Sequence, residues 1–152
     1  MMEFGRIPNV SPAFAPKWSE EGHMDRAAEY LKTWAESRSI QGMTIELHRK
    51  DMRTPLLFIE IEGQTKENVL MYGHLDKQPP MLPWREGLDP WVPLREGDLL
   101  YGRGLADDGY AIFCALGAVE PAQQTGKPMP RIVIMIEASE ESGSADLLHY
   151  VN

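Results

Sequence analysis

Val69-Leu70-Met71-Tyr72-Gly73-His74-Leu75-Asp76 opens on four consecutive apolar residues and closes on a histidine and a carboxylate two positions apart. A short unbroken apolar run is the pattern of a strand covered on both faces, because alternation disappears when neither face meets water. A second such run, Ile132-Val133-Ile134-Met135-Ile136, ends on Glu137. Between them Ala111, Ile112, Ala115, Leu116 and Val119 recur at helical spacing, which predicts a helix from about Asp107 to Val119, ended before Pro121. Buried strand, crossover helix and buried strand in that order predict an α/β fold: a mixed, mostly parallel sheet with helices on both faces and the two apolar runs mid-sheet. Ligand sites in such sheets lie beyond the carboxyl ends of the strands. His74 and the stretch from Glu137 to Glu141 fall at those ends.

Further out, Ala27, Ala28, Leu31, Trp34 and Ala35 keep helical spacing and predict a surface helix from Met24. Met43, Ile45 and Leu47 alternate with polar residues, as Leu57, Ile59 and Ile61 alternate with Phe58 and Glu60. These are expected to be two strands paired antiparallel near a sheet edge. Pro79 to Asp98 is rich in Pro, Gly, Asp and Trp and reads as a long structured loop. A shorter helix is expected to start near Ser144, carrying Leu147, Leu148 and Val151, and to be cut off at Asn152. Residues 1–17 hold three prolines and no periodicity, so they read as an N-terminal tail or a strap over a neighbouring element.

The chain has 152 residues, 43% of them hydrophobic, enough for one domain with a real core. Its net charge of -8 argues against nucleic-acid and anionic-membrane partners, because no basic cluster offsets phosphate repulsion. Cys114 is the single cysteine, so no internal disulfide forms, and its place in a helical pattern reads as a small buried apolar residue. No signal-like start and no apolar run near the roughly 20 residues of a membrane span occur, and the expected compartment is the cytoplasm.

Chemistry-bearing residues collect in three clusters: Gly73 to Asp76, Gly102-Arg103-Gly104-Leu105-Ala106-Asp107-Asp108-Gly109, and Glu137-Ala138-Ser139-Glu140-Glu141-Ser142-Gly143-Ser144. Carboxylate and imidazole ligands at strand ends suit a hydrolytic metal site. Asp76 stands where its carboxylate can hold the second ring nitrogen of His74. Asp107 and Asp108 also fit a helix N-terminus, where the dipole favours acids, but the flanking glycines allow the close backbone approach of a tight site. A dinucleotide fingerprint beginning at Gly102 fails, since its third glycine position is Asp107 and paired carboxylates repel a pyrophosphate. In extended backbone Glu140 and Glu141 point to opposite sides, which disfavours a glycosidase pair and suits a metal enzyme in which one ligates and the other acts as base.

Met71-Tyr72-Gly73-His74-Leu75-Asp76-Lys77-Gln78-Pro79, then Leu100-Tyr101-Gly102-Arg103-Gly104 with Asp107-Asp108, then Glu140-Glu141-Ser142-Gly143-Ser144 resemble the motifs of a di-zinc metallopeptidase family. That family includes carnosinase-like dipeptidases, aminoacylases, succinyl-diaminopimelate desuccinylase and carboxypeptidase G. The resemblance spans about Trp18 to the end, and Gln78-Pro79 with the Trp-rich loop leans toward the dipeptidase branch. It implies a zinc exopeptidase-like fold and hydrolysis of a peptide or amide bond in a dipeptide or N-acyl amino acid. It further implies two zinc ions, with cobalt or manganese as substitutes, and a homodimer for the complete enzyme. By position, His74 would ligate one metal and Asp76 would steady it. Asp107 would bridge both metals, Glu141 would ligate the second, Glu140 would be the general base, and Asp108 would lie beside the site. A cis peptide bond between Asp107 and Asp108 is implied as well.

Two departures accompany the resemblance. Gly109-Tyr110 stands where family members commonly have Lys-Gly. The family's later aspartate and histidine ligands and its lid or dimerisation domain have no counterpart up to Asn152. Residues 18–152 are therefore expected to be the N-terminal portion of the catalytic domain, inactive alone. The alternative is an inactive relative that binds a peptide or a partner; the presence of Glu140 favours the enzyme.

Overall fold

The computed structural model describes residues 1–151. In chain order its elements are α1 (Met2–Gly5), α2 (Trp18–Glu21), α3 (His23–Glu36), β1 (Met43–His48), β2 (Leu56–Ile61), β3 (Asn68–His74), β4 (Leu94–Glu96), β5 (Leu99–Tyr101), a π-turn (Leu105–Gly109), α4 (Tyr110–Gln124), β6 (Arg131–Glu137), a 3-10 turn (Glu140–Ser142) and α5 (Leu148–Val151). The main sheet has the order β1-β2-β6-β3. Strands β1 and β2 pair antiparallel with Met43 opposite Ile61, as the alternation predicts, and β2 pairs antiparallel with β6. Strands β3 and β6 pair parallel, with His74 opposite Glu137. None of the helices among the described residues is long and apolar enough to cross a membrane.

The core follows from side-chain periodicity. Leu57, Ile59 and Ile61 of β2 and Ile132, Ile134 and Ile136 of β6 face one side, where they meet Met24, Ala27, Ala28, Leu31 and Ala35 of α3 and Ile112, Leu116 and Val119 of α4. Each fully buried aliphatic side chain contributes about 1.5–3 kcal/mol. Trp34 of α3 and Phe113 of α4 touch with ring centroids 4.4 Å apart, so the two helices lie side by side on the same apolar face.

The mixed α/β sheet is present, but several details of the expectation change. In the main sheet of the described residues, parallel pairing is confined to β3 with β6, and the other two pairings are antiparallel. Helices lie on both faces but unequally: the two long ones share one face, because a single wide apolar surface accepts both stripes. On the opposite face, among the described residues, the short α5 brings Tyr150 near Leu56 and Phe58. Strand β6 is mid-sheet, whereas β3 is an edge among the described residues, with Val69, Leu70 and Tyr72 exposed at 37%, 65% and 48%. A local apolar run records a strand built to be covered but not which segment covers it.

Helix α4 begins at Tyr110, after non-helical backbone at Asp107 and Asp108, and runs through Pro121 to Gln124. The last turn survives the proline because tertiary bonds hold it. Gln41 N–H donates to Gln123 Oε1 and Gln123 Nε2 donates to Gln41 O, both at 2.9 Å, while Ser39 N–H donates to Glu120. Cys114 is exposed rather than buried; it sits midway between Ile112 and Leu116, on the far side of the helix. The 79–98 loop contains β4, folded back on β5 around Gly97 at φ 60°. Helix α5 starts at Leu148 instead of near Ser144, since Ser144 has a left-handed φ of 55° that no helix continues. The expected cut-off at Asn152 lies outside the described residues.

Gly73 sets how closely α4 approaches β3. A Cβ there would lie 2.6 Å from Ala111 Cβ, 2.7 Å from Asp108 Oδ2 and 3.3 Å from Ile136 Cδ1. Gly73→Ala should therefore push the start of α4 off the strand and destabilise the chain by about 1–3 kcal/mol, as overpacking does. Denaturant unfolding measures this. A loss within the roughly 0.5 kcal/mol of ordinary surface substitutions would show that the helix has room to move.

Candidate metal centre

His74 ends β3 and lies beside the end of β6, with Leu75 N–H donating to Glu137 O at 2.8 Å to prolong the pairing by one residue. Parallel neighbours end together, so both following loops are delivered to one place. The His74 ring is buried, and its Nδ1 lies 3.0 Å from the carbonyl oxygen of Asp76. A carbonyl only accepts, so Nδ1 carries the hydrogen and Nε2 of the neutral ring keeps its lone pair for a ligand. That Nε2 lies 3.4 Å from Asp107 Oδ1 and 3.7 Å from Glu140 Oε2. Ligand atoms of His74, Glu140 and Glu141 all fall within 4.8 Å of one another.

The carboxylate of Asp76 is fully buried and makes its closest bonds elsewhere than to the ring. Its Oδ1 accepts Glu140 N–H at 3.1 Å, and its Oδ2 accepts Glu141 N–H at 3.1 Å and the Ser11 hydroxyl at 2.5 Å. Oδ1 is 3.5 Å from His74 Nδ1. Asp76 thus holds the ring mainly through its main-chain carbonyl, while its carboxylate shapes the turn that carries both glutamates. That turn is 3-10, not extended. The opposed directions expected of Glu140 and Glu141 are therefore replaced by two carboxylates on the His74 side.

Asp107, with a side chain 64% exposed, stands at the mouth of the cluster. The bond from Asp107 to Asp108 is cis. Asp108 lies behind His74, accepting its backbone N–H at 3.2 Å on Oδ2, and burial pushes its carboxyl up. Glu141 accepts a bond from Gln78 Nε2 on Oε2, and its Oε1 is buried with no hydrogen-bond partner. Burial also pushes the Glu141 carboxyl up. A buried carboxylate oxygen without a donor is costly, and a cation is what would satisfy it. The residues present therefore fit a divalent metal: one imidazole with a free Nε2, two nearby carboxylates, and an orphaned oxygen among them.

Residues given no role from the sequence complete the surroundings. Gln78 reaches Glu141, Ser11 reaches Asp76, and Glu137 accepts the hydroxyls of Tyr72, Ser139 and Ser144 at 2.5, 3.2 and 2.7 Å, which pins the loop after β6. Gln78 belongs to the first motif and could have been singled out as a neighbour of the site. Ser11, 65 positions from Asp76, leaves no local signal.

Burial opposes protonation of His74, but the Asp76 side chain and carbonyl and the Glu140 charge outweigh it, and the ring is pushed up to about 9. A group raised above its unfolded value of 6.5 contributes stability that is complete below 6.5 and is lost as pH rises through about 9. Lys77 acts in the opposite sense, because burial pushes its ammonium down to about 7 from 10.5, so its contribution grows above pH 7. Metal-free protein compared with His74→Asn isolates the histidine. The wild-type advantage in thermal midpoint should shrink between pH 6.5 and pH 9, and a constant advantage would remove the linkage.

The sequence model of Peptidase family M20/M25/M40 matches residues 70–152. The chain is 34% identical over 95 residues to the succinyl-diaminopimelate desuccinylase of Gluconobacter oxydans, across 62% of this chain and 24% of that protein. It is 34% identical over 95 residues to the Beta-Ala-His dipeptidase of Homo sapiens, across 61% of this chain and 19% of that protein. Among solved structures, an M20 family metallo-carboxypeptidase, Sso-CP2 from Sulfolobus solfataricus, aligns with a TM-score of 0.81 at 25% identity, over 99% of this chain and 32% of that one. The chain spans a quarter or less of the length of both curated relatives.

Proposed function

The chain belongs to peptidase family M20/M25/M40, and on that premise we propose that it carries the N-terminal part of a metal-dependent catalytic domain that hydrolyses a peptide or amide bond in a small substrate. The observation that carries this reading is the convergence of His74, Glu140 and Glu141, one of which, Glu141, also keeps a buried oxygen without a hydrogen-bond partner. A dipeptide or N-acyl amino acid is the proposed substrate class, in keeping with the activities named for the relatives.

His74, through Nε2, and Glu141, through its orphaned Oε1, are the groups that would hold zinc, and Asp107 at the mouth would be a further ligand, common to both ions if two bind. Zinc, when bound, supplies Lewis acidity that polarises a carbonyl and makes water more acidic. Glu140 is the proposed general base. It is half-exposed, within reach of the same space, and free of any strong side-chain bond among the described residues, so its carboxylate can take a proton from the attacking water. The same proton goes to the leaving amine as the C–N bond breaks, which restores the carboxylate. Asp76 keeps Glu140 and Glu141 in register with His74 by accepting both backbone N–H groups.

Calorimetric titration of the chain with zinc tests the ligand assignment. His74→Asn and Glu141→Gln should each weaken binding tenfold or more, and Glu140→Gln should weaken it less. In a complete catalytic domain carrying these residues, Glu140→Gln should lower dipeptide turnover by about 10²–10⁴, the usual contribution of a positioned base. Equal loss of zinc on changing Glu140 would reverse the two glutamates, and absence of any zinc binding by the wild-type chain would overturn the reading.

A further inference from the structure

The segment before α2 is lashed to the loop that follows β3. Asn9 Nδ2 donates to Leu75 O at 2.6 Å, Lys77 N–H donates to Asn9 O at 3.1 Å, and Ser11 N–H donates to Lys77 O at 2.9 Å. The Lys77 side chain turns back along the same segment. It is fully buried, and its Nζ donates to the carbonyls of Phe4 and Ile7 at 3.0 and 2.8 Å while lying 4.4 Å from the centre of the Phe4 ring. These bonds hold the backbone of Ser11 against the loop that carries Asp76. Its hydroxyl, buried, lies 2.5 Å from Asp76 Oδ2 and 2.6 Å from Ser142 Oγ, and Ser142 Oγ accepts Ala13 N–H at 2.8 Å.

Hydrogen direction along this chain is settled by elimination. Ala13 N–H can only donate and an ionised Asp76 can only accept, so the order is Ala13 N–H to Ser142, Ser142 to Ser11, and Ser11 to Asp76. Each bond polarises the next, and the last ends on the charged group, where hydrogen bonds are strongest. Ser11 therefore joins three segments: the N-terminal strap, the His74–Asp76 loop and the turn Glu140–Ser142.

We propose that Ser11 is a positioning residue of the metal centre, acting through Asp76 and Ser142 to set the placement of Glu140 and Glu141 relative to His74. The proposal rests on the metal-site reading above. Ser11 lies outside residues 70–152, the part matched by the family model, and it reaches the site through the tertiary structure. Without its hydroxyl, Asp76 Oδ2 keeps only the Glu141 N–H, and the Glu140–Ser142 turn is tied to the strap by Ala13 N–H alone. The placement of the two glutamates is then loosened although no ligand residue has been changed.

Amide hydrogen exchange and zinc calorimetry on the 152-residue chain test it together. In the wild type, the amides of Glu140 and Glu141 should be protected; fast exchange there would overturn the proposal before any variant is made. Ser11→Ala should speed exchange at these two amides while leaving Ile134 in β6 unchanged, and should weaken zinc binding about 10–100-fold, the range for loss of a partner behind a ligand. Ser142→Ala, which spares the bond from Ser11 to Asp76, should have a smaller effect on both. Equal acceleration at Ile134, or unaltered zinc affinity in Ser11→Ala, would reduce Ser11 to a general structural role. If the wild type binds no zinc, the metal reading fails, yet the exchange pattern still decides whether Ser11 controls the glutamate turn.

Discussion

A carboxylate with no exposed surface must find its donors inside the protein, and the Asp76 carboxylate organises everything around it on that account. Leaving such a charge unpaired would cost several kcal/mol. Two backbone N–H groups from the Glu140–Ser142 turn and one hydroxyl from the N-terminal segment supply what it needs. Three stretches that are remote in sequence thereby become one unit. Because Asp76 is two residues beyond His74, the unit is assembled at the end of the parallel strand pair, where the ring and both glutamates meet.

The sheet prepares that meeting. Parallel pairing of β3 with β6 places two strand ends in register, His74 against Glu137, and Gly73 lets the start of α4 and Asp108 come down onto the strand just before the histidine. The antiparallel β1 and β2 are scaffold: they widen the apolar face on which α3 and α4 lie together. The site therefore sits on the parallel half of a mixed sheet, and the antiparallel half contributes core and not chemistry.

The electrostatics have a single logic. Carboxylates gathered around one imidazole favour a positive charge at their centre, and without a metal they push protonation of the His74 ring up. The partnerless Glu141 oxygen points to the same demand. A divalent cation meets both with one ion, so the ring's proton and a metal compete for the same place.

Much of this was open to reading in the chain itself. Apolar runs at 69–72 and 132–136, the alternation at 43–47 and 57–61 and the 3.6-residue stripes of α3 and α4 depend on nearest-neighbour periodicity, which any strand or helix must show if it buries one face. The order and spacing of His74, Asp107, Glu140 and Glu141 likewise lie within local motifs. Tertiary structure alone decided that β3 lies at an edge among the described residues, that both long helices share a face, and that α4 continues past Pro121 under the grip of Gln41. It also decided that Asp76 serves the glutamate turn more than the ring, and that Ser11 reaches it across 65 positions. Those outcomes depend on which surfaces and donors meet in space, and a one-dimensional pattern carries the need for a partner without naming it.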